Sequence, residues 1–272
     1  MKHLSRLAAG TALLVLGLAS SMLPSLAADP RVADVVQAGK IRTALFLPQY
    51  TKDPATGELH GKGTGLVGIE VARLLAIRLG VGAELIGYAT PADATASLKS
   101  GASDIAFMGI EPSRAEELDF TPPVIQFDYT FLVPAGSAIH SAAEADRPGI
   151  RIVFVRHHAA SLALERVVKR AELVGADLPE TAFDLLRTGK ADALALARPM
   201  LVDFLARLPG SRILEGAYGV NRLGIAIKKD EPGRLDYISG FVEEAKASGV
   251  VQRAIAQSSL RGIEVAPPWP AR

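Results

Sequence analysis

Residues 94–123, ATASLKSGASDIAFMGIEPSRAEELDFTPP, decide the fold. They predict a helix over 94–99 that ends at Gly101, because glycine readily takes the left-handed conformation that closes a helix. A strand over 104–109 follows, and Pro112 is typical of the first turn of a second helix. In an open α/β sheet, ligands bind at the carboxyl ends of the strands. The residues that this stretch predicts at such an edge are Gly109, Ile110, Glu111 and Arg114.

The same design recurs further along the chain, where LKSGASD at 98–104 is echoed by LRTGKAD at 186–192. Strands alternate with helices around both copies, which is typical of mostly parallel sheets flanked by helices. We therefore predict an α/β protein with two lobes built on one plan and a cleft between them. The predicted division is a signal peptide at 1–27, a first lobe at 28–133 plus 222–264, a second lobe at 134–221 and a tail at 265–272.

Composition narrows the class of protein. The chain has 272 residues, of which 49% are hydrophobic, and this is enough for one or two globular domains. A formal net charge of +1, with acids and bases interspersed, gives no reason to expect a nucleic-acid partner. No GxGxxG follows a predicted strand, and the motifs GxxxxGKS/T, GxSxG and HExxH are absent from the sequence. We therefore expect no cofactor, no metal and no catalytic residue.

Residues 1–27 have the features of a cleaved signal peptide. A basic start with Lys2 and Arg6 precedes an apolar run over 7–18, and SLA at 25–27 has small residues where signal peptidase cleaves. A retained membrane anchor is the alternative, although the apolar run is short for a bilayer span. The chain has no cysteine, so it carries neither a disulfide nor a lipid-modified cysteine. We expect an exported, periplasmic protein that is not a lipoprotein.

Arg114 is the main candidate for ligand binding. A planar guanidinium can hold a carboxylate through two parallel hydrogen bonds, each worth about 1.5–3 kcal/mol when charge-assisted. Free N–H groups at the start of the predicted helix would favour the same anion. The alternative is a surface arginine that pairs with Glu111 or Glu117.

His157 and His158 lie between a predicted strand and a helix predicted over 159–171. Adjacent residues of an extended segment point to opposite sides, so these two histidines do not readily share a metal ion. They either contact a ligand or cap the helix.

Arg198 and Tyr50 are the remaining candidates. Arg198 follows a strand predicted over 192–197 and is either directed into the cleft or solvated. Tyr50 lies in a loop predicted over 48–65, where it offers an aromatic face to a solute or packs against the sheet.

Taken together, these segments resemble the family-3 extracellular solute-binding proteins, the amino-acid-type receptors of ABC importers. The resemblance is carried by GKIRTA at 39–44, VGIEVA at 67–72, LKSGASD at 98–104, SR at 113–114, DFTPP at 119–123, GKADA at 189–193 and RLGIAI at 222–227. It implies the type II periplasmic binding protein fold, with two hinge strands crossing between the lobes near 129–133 and 219–224. It also implies a small-molecule solute as ligand, closure of the lobes around it, and an ABC importer permease in the inner membrane as partner.

The resemblance also assigns a role to Arg114, which matches the family's arginine for the α-carboxylate of the ligand. The chain departs from the family pattern in two places near this site. The turn before Arg114 is shorter than usual, and His157 and His158 replace a Gly-Ser/Thr pair that donates to the carboxylate.

A third departure concerns the acid that takes the ammonium group of the ligand in this family. Ala197 and Arg198 stand where that acid is expected in the second lobe. The gain of positive charge favours an organic anion over an α-amino acid. Glu111 or Asp128 is an open alternative as the source of the missing acid.

The sequence therefore predicts a periplasmic solute-binding receptor of an ABC importer that binds a small carboxylate-bearing solute. The alternative is a periplasmic dehydratase on the same fold, acting on prephenate-like substrates, with Glu111 and His157 as its acid and base. A receptor that presents its ligand to a membrane sensor is a third interpretation.

Overall fold

The computed structural model describes residues 29–47, 49–156, 158–258 and 260–268, and helices cover both faces of its central sheet. The helices are α1 (Ala33–Ala38), α2 (Thr64–Leu79), α3 (Pro91–Ser100), α4 (Pro112–Ala115), α5 (Ala159–Val167), α6 (Pro179–Arg187), α7 (Arg198–Leu205), α8 (Pro232–Ala247) and α9 (Val250–Gln257). The strands are β1 (Lys40–Phe46), β2 (Tyr50–Lys52), β3 (Leu59–Gly61), β4 (Gly82–Tyr88), β5 (Ile105–Gly109), β6 (Leu118–Phe120), β7 (Ile125–Val133), β8 (Arg151–Val155), β9 (Glu172–Ala176), β10 (Ala193–Ala197), β11 (Arg212–Ile213), β12 (Gly219–Lys228) and β13 (Glu264–Val265).

One sheet runs through the molecule in the strand order β4-β1-β5-β12-β7-β10-β8-β9. On one side β4, β1 and β5 are parallel to one another, and on the other side β10, β8 and β9 are parallel. The long strands β12 and β7 lie between these groups, antiparallel to each other and to their outer neighbours. This topology confirms the predicted α/β fold of two lobes joined by two strands.

Each long strand belongs to both lobes. Over 125–129, β7 pairs with β12, and over 129–132 it pairs with β10. Likewise, β12 pairs with β7 over 219–223 and with β5 over 223–226. These changes of partner lie close to the crossings predicted near 129–133 and 219–224. The lobe boundaries themselves stay a prediction.

The repeated sequence motif builds the same ion pair in each lobe. Asp104 accepts a hydrogen bond from the main-chain N–H of Arg42 at 2.7 Å and another from its Nη2 at 2.6 Å. Asp192 accepts the equivalent two bonds from Arg151, both at 2.8 Å. In each lobe, the aspartate that ends the motif therefore holds the arginine near the start of the first strand.

Helices pack on both faces of the sheet, so the inner strands are apolar along their length. In the first lobe, Leu75 of α2 packs in the same core as Phe107, and Leu98 of α3 covers the opposite face. In the second lobe, Leu164 of α5 lies on one face and Phe183 of α6 on the other.

The glycines of GTGLVG at 63–68 have the spacing of a dinucleotide-binding turn, but here they serve packing. A Cβ added to Gly65 would lie 2.0 Å from the carbonyl oxygen of Gln49. One added to Gly68 would lie 2.7 Å from the Cβ of Phe107. The absence of side chains at both positions lets α2 approach the sheet closely.

Two segments predicted to be irregular carry strands. The loop predicted over 48–65 contains the hairpin of β2 and β3. The tail predicted over 265–272 begins inside β13, which pairs with β7, and its Ala266 is buried. Pro267 accepts a hydrogen bond from Lys246 of α8, so the chain is attached to the first lobe up to this point.

Helix α5 ends at Val167, short of the predicted end at residue 171. The carboxylate of Asp146 accepts hydrogen bonds from the main-chain N–H groups of residues 169, 170 and 171. These N–H groups therefore do not form helical hydrogen bonds, because they donate to a residue that lies 23–25 positions away in sequence.

The predicted signal peptide lies outside the described residues. Within the part of the chain that the structure describes, no helix combines the length and apolarity that crossing a membrane requires.

Candidate functional site

Strand β5 ends at Gly109, and Arg114 folds back over this end. The Nη1 of Arg114 donates a hydrogen bond to the carbonyl oxygen of Gly109 at 2.9 Å, and the side chain is partly buried. The helix that carries it, α4, has only four residues. Its N-terminus therefore adds little to an anion site, and the guanidinium of Arg114 supplies the positive charge there.

Three polar side chains converge in front of Gly109. A Cβ built on this glycine would lie 3.3 Å from Oδ1 of Asn221, 3.4 Å from Nη1 of Arg114 and 3.8 Å from Oε1 of Glu111. Asn221 comes from β12, which is the neighbour of β5 in the sheet. The small space over Gly109 is thus bordered by a cation, an anion and an amide.

Neither charge at this position is neutralised by the described residues. Glu117, one candidate partner of Arg114, forms an ion pair with Lys99 instead. Among the described residues, no carboxylate lies within 4.0 Å of the Arg114 guanidinium, and no cation lies within 4.0 Å of the Glu111 carboxylate. Both groups are therefore available to a ligand.

Tyr129 of β7 forms the floor beside these groups. In the register of β7 and β12, Asn221 lies opposite Phe127 and Gly219 opposite Tyr129, so these side chains share one face of the sheet. Burial raises the pKa of Tyr129 above its ordinary value, the Glu111 carboxylate raises it further, and the Arg114 guanidinium lowers it. The hydroxyl thus lies within electrostatic reach of both charged groups.

The hydroxyl groups of Tyr129 and Tyr218 are both buried, and neither has a hydrogen-bond partner among the described residues. Their rings stack with centroids 6.1 Å apart. A buried hydroxyl without a partner costs free energy, and such groups commonly find one in water or in a ligand.

The second lobe faces this floor with small and neutral side chains. Ala160 of α5 lies in the same apolar cluster as Tyr129, and Ala163 packs against that cluster. Ala197 of β10 pairs with Tyr129 and shares its face of the sheet. Burial lowers the pKa of His158, at the start of α5, below its ordinary value and so favours the neutral imidazole.

Arg198 and Ile110 do not join this group. Arg198 donates to Oδ2 of Asp128 at 3.0 Å, and Asp128 points to the opposite face of β7 from its neighbour Tyr129. The Cδ1 of Ile110 lies 3.2 Å from a Cβ built on Gly224, on that same opposite face. The positive charge expected from Arg198 is therefore already paired, away from Arg114.

Tyr50 packs at the far side of the first lobe. Its Cζ would lie 2.7 Å from a Cβ on Gly87 of β4, and its hydroxyl donates to the carbonyl oxygen of Tyr88 at 3.1 Å. This is the packing alternative considered from the sequence. His157 lies outside the described residues.

Sequence reasoning missed Asn221, Tyr129 and Tyr218 as site residues. The pattern contained one signal for the first of them, because Asn221 is polar at a position where Leu223, Ile225 and Ile227 continue the same face of β12. Among the described residues, no group of three or more His, Asp or Glu side chains is placed to hold a metal ion.

Comparison with known proteins adds independent information. Residues 52–258 match the model of the bacterial extracellular solute-binding proteins, family 3. The chain is 24% identical over 220 residues to the ABC transporter glutamine-binding protein GlnH of Bacillus subtilis, covering 79% of this chain and 77% of GlnH. It is also 31% identical over 132 residues to the virulence sensor protein BvgS of Bordetella bronchiseptica. That match covers 48% of this chain and only 10% of the sensor.

Solved structures show the same fold. A putative binding component of an ABC transporter from Wolinella succinogenes, complexed with lysine, has a TM-score of 0.62 and 26% identity, covering 80% of this chain and 95% of that one. The ancestral cationic amino acid solute-binding protein AncCDT-1, also described as a precursor of cyclohexadienyl dehydratase, has a TM-score of 0.64 and 22% identity, covering 83% and 98%. The fold is that of the type II periplasmic binding proteins, and the chain belongs to the bacterial extracellular solute-binding proteins of family 3.

Proposed function

We propose that this chain is the solute receptor of an ABC importer and binds a small carboxylate-bearing molecule between its lobes. One observation carries the proposal. Arg114 is held over the end of β5 by the carbonyl of Gly109, partly buried, with no carboxylate of the described residues within 4.0 Å. A guanidinium placed in this way is well suited to two charge-assisted hydrogen bonds with a carboxylate.

Binding would couple to the relative position of the lobes. Arg114 comes from the first lobe, Tyr129 from a strand shared by both, and Ala160 from the second lobe. A solute that contacts all three stabilises the arrangement in which the lobes are close, since it gains contacts there that it lacks when they separate. The permease would then distinguish the loaded receptor from the empty one.

Export of the chain to the periplasm is consistent with a role as a solute receptor. The signal peptide predicted at 1–27 would direct the chain to the periplasm, and the absence of cysteine means that it would not be anchored as a lipoprotein. The permease of the importer, in the inner membrane, is the proposed partner.

The test is titration calorimetry of the purified protein against the L-amino acids and a set of organic acids. Arg114→Ala should weaken binding of the best compound about a hundredfold or more, because two charge-assisted bonds are lost. Arg222→Ala is the matched control, since Arg222 is an exposed arginine on the opposite face of β12. Full affinity of Arg114→Ala, or binding of no carboxylate-bearing compound by the wild type, would refute the proposal.

A dehydratase activity is the second candidate, since AncCDT-1 is described as a precursor of cyclohexadienyl dehydratase. It requires a proton donor or acceptor at the substrate, and Glu111, which lies within electrostatic reach of the Tyr129 hydroxyl, offers one. Incubation with prephenate or arogenate, followed by ultraviolet detection of an aromatic product, separates an enzyme from a receptor. Turnover abolished by Glu111→Gln would favour the enzyme.

A further inference from the structure

A zwitterionic ligand needs an acceptor for its ammonium group, and Ala197 offers none on the face that it shares with Tyr129. Among the described residues, the carboxylates considered from the sequence are those of Glu111 and Asp128. Asp128 is engaged with Arg198 on the opposite face of β7. Glu111 is therefore the acid that faces the candidate site.

Glu111 is held in position by its main chain. Its carbonyl oxygen accepts a hydrogen bond from the N–H of Ala115 at 2.9 Å, and the residue precedes the first helical residue, Pro112. Its side chain makes no hydrogen bond or ion pair with the described residues, although the residue is partly buried. This carboxylate is therefore free to accept hydrogen bonds from a cationic group of a ligand.

The groups around Gly109 match the two charges of an α-amino acid. The nearest atoms to a Cβ on this glycine are an acceptor from Asn221, a donor from Arg114 and an acceptor from Glu111, at 3.3, 3.4 and 3.8 Å. The cation and the anion are more than 4.0 Å apart, so they border a common space without closing it. The ammonium and carboxylate of an α-amino acid are separated by one carbon atom and fit such a pair.

We propose that Glu111 accepts the ammonium group of an α-amino acid whose carboxylate is held by Arg114, so that one turn of the first lobe binds both charges. This inference rests on the proposed function and narrows its solute from carboxylates in general to zwitterionic amino acids. It reverses the preference for an organic anion that the sequence suggested, because Arg198 is paired with Asp128 on the opposite face of β7.

Ala160, Ala163 and Ala197 offer apolar contacts, so the second lobe would select the size of the ligand side chain but not its charges. Charge selection would reside in the turn 109–114 alone.

The experiment compares each L-amino acid that binds with its 2-hydroxy acid analogue, which replaces the ammonium by a hydroxyl and keeps the carboxylate. Calorimetry is done on the wild type, on Glu111→Gln and on Glu116→Gln as the matched control, because Glu116 is an exposed acid that follows the last residue of α4, as Glu111 precedes the first. Wild type and control should prefer the amino acid. Glu111→Gln should lose about ten- to a hundredfold in affinity for it and bind the hydroxy acid no more weakly than the wild type does.

Equal affinity of Glu111→Gln and wild type for the amino acid would overturn the inference. So would a wild type that binds the hydroxy acid as tightly as the amino acid, a comparison that needs no variant to fold. Both outcomes leave Arg114 as the anchor and the proposed function intact. Failure of the proposed function looks different, since Arg114→Ala would then bind every compound as the wild type does.

Discussion

Replacement of Gly109 by alanine is the sharpest test of the site, because it should weaken binding while leaving the stability of the unliganded protein nearly unchanged. Gly109 has the extended backbone of β5, with no positive φ, so alanine is compatible with its conformation. The new methyl group would enter the space that the proposed amino acid occupies. Its contacts of 3.3–3.8 Å are with the ends of the side chains of Asn221, Arg114 and Glu111, which can move by a few tenths of an ångström.

The expected magnitudes follow from these contacts. Glycine to alanine at a compatible position stabilises a protein by about 0.4–1 kcal/mol through the unfolded chain, which offsets the slight crowding of the three side chains. The melting temperature of the unliganded protein should therefore stay within a few degrees of the wild type. Binding should lose at least one charge-assisted hydrogen bond, about 1.5–3 kcal/mol, which corresponds to a loss of affinity of roughly tenfold or more.

The assay is titration calorimetry with the best-bound L-amino acid, together with thermal unfolding of the unliganded protein. Gly82→Ala is the matched control, since Gly82 lies in β4 and a Cβ there would meet only the carbonyl oxygen of Gly39, at 3.6 Å. Undiminished affinity in Gly109→Ala would show that ligands do not occupy the space over this glycine. A large loss of melting temperature would show that the backbone there does not accept a side chain.

Further predictions concern the ion pairs. Asp104→Asn should lower the free energy of unfolding by about 2–3 kcal/mol in urea titrations, because its carboxylate is only 8% exposed, and the twin change Asp192→Asn should cost less, since that carboxylate is 33% exposed. A hydrogen bond from Arg151 lowers the pKa of Asp192 in the folded protein. The ion pair therefore contributes to the free energy of unfolding above about pH 4, and this contribution is lost as the pH falls further. A difference in free energy of unfolding between wild type and Asp192→Asn that does not depend on pH would contradict this. Arg198→Ala should leave amino-acid affinity within about threefold, less than the effect of one charge-assisted bond. It should lower the melting temperature slightly by leaving Asp128 unpaired, and a large loss of affinity would place Arg198 at the ligand after all.

Local residue patterns were sufficient to predict most of the helices and strands that border the candidate site. In the opening stretch, α3 ends at Ser100 beside the predicted stop at Gly101, β5 ends at Gly109 as predicted, and Pro112 begins α4. The repeat of LKSGASD and LRTGKAD predicted two lobes on one plan, because each copy contains the whole signal for a helix end, a turn and a strand start. The place of Arg114 also followed from sequence, since a residue just past the end of β5 must lie at that edge of the sheet.

Long-range contacts decided the rest. Asp146 ends α5 early through contacts that no local pattern records, and the chain after α9 becomes β13 only because β7 offers it an edge. Asn221 reaches Gly109 because β12 lies beside β5, although the two residues are far apart in sequence.

The direction of Arg198 shows the physical reason most clearly. Sequence placed it at the end of β10, but whether it faces the cleft depends on how the strands are paired. Ala197 is paired with Tyr129, so Arg198 lies on the other side of the sheet, where Asp128 of the neighbouring strand binds it. Sequence by itself determined the elements and the edge at which a ligand would bind. The register between distant strands, which only the tertiary structure sets, decided which charges meet at that edge.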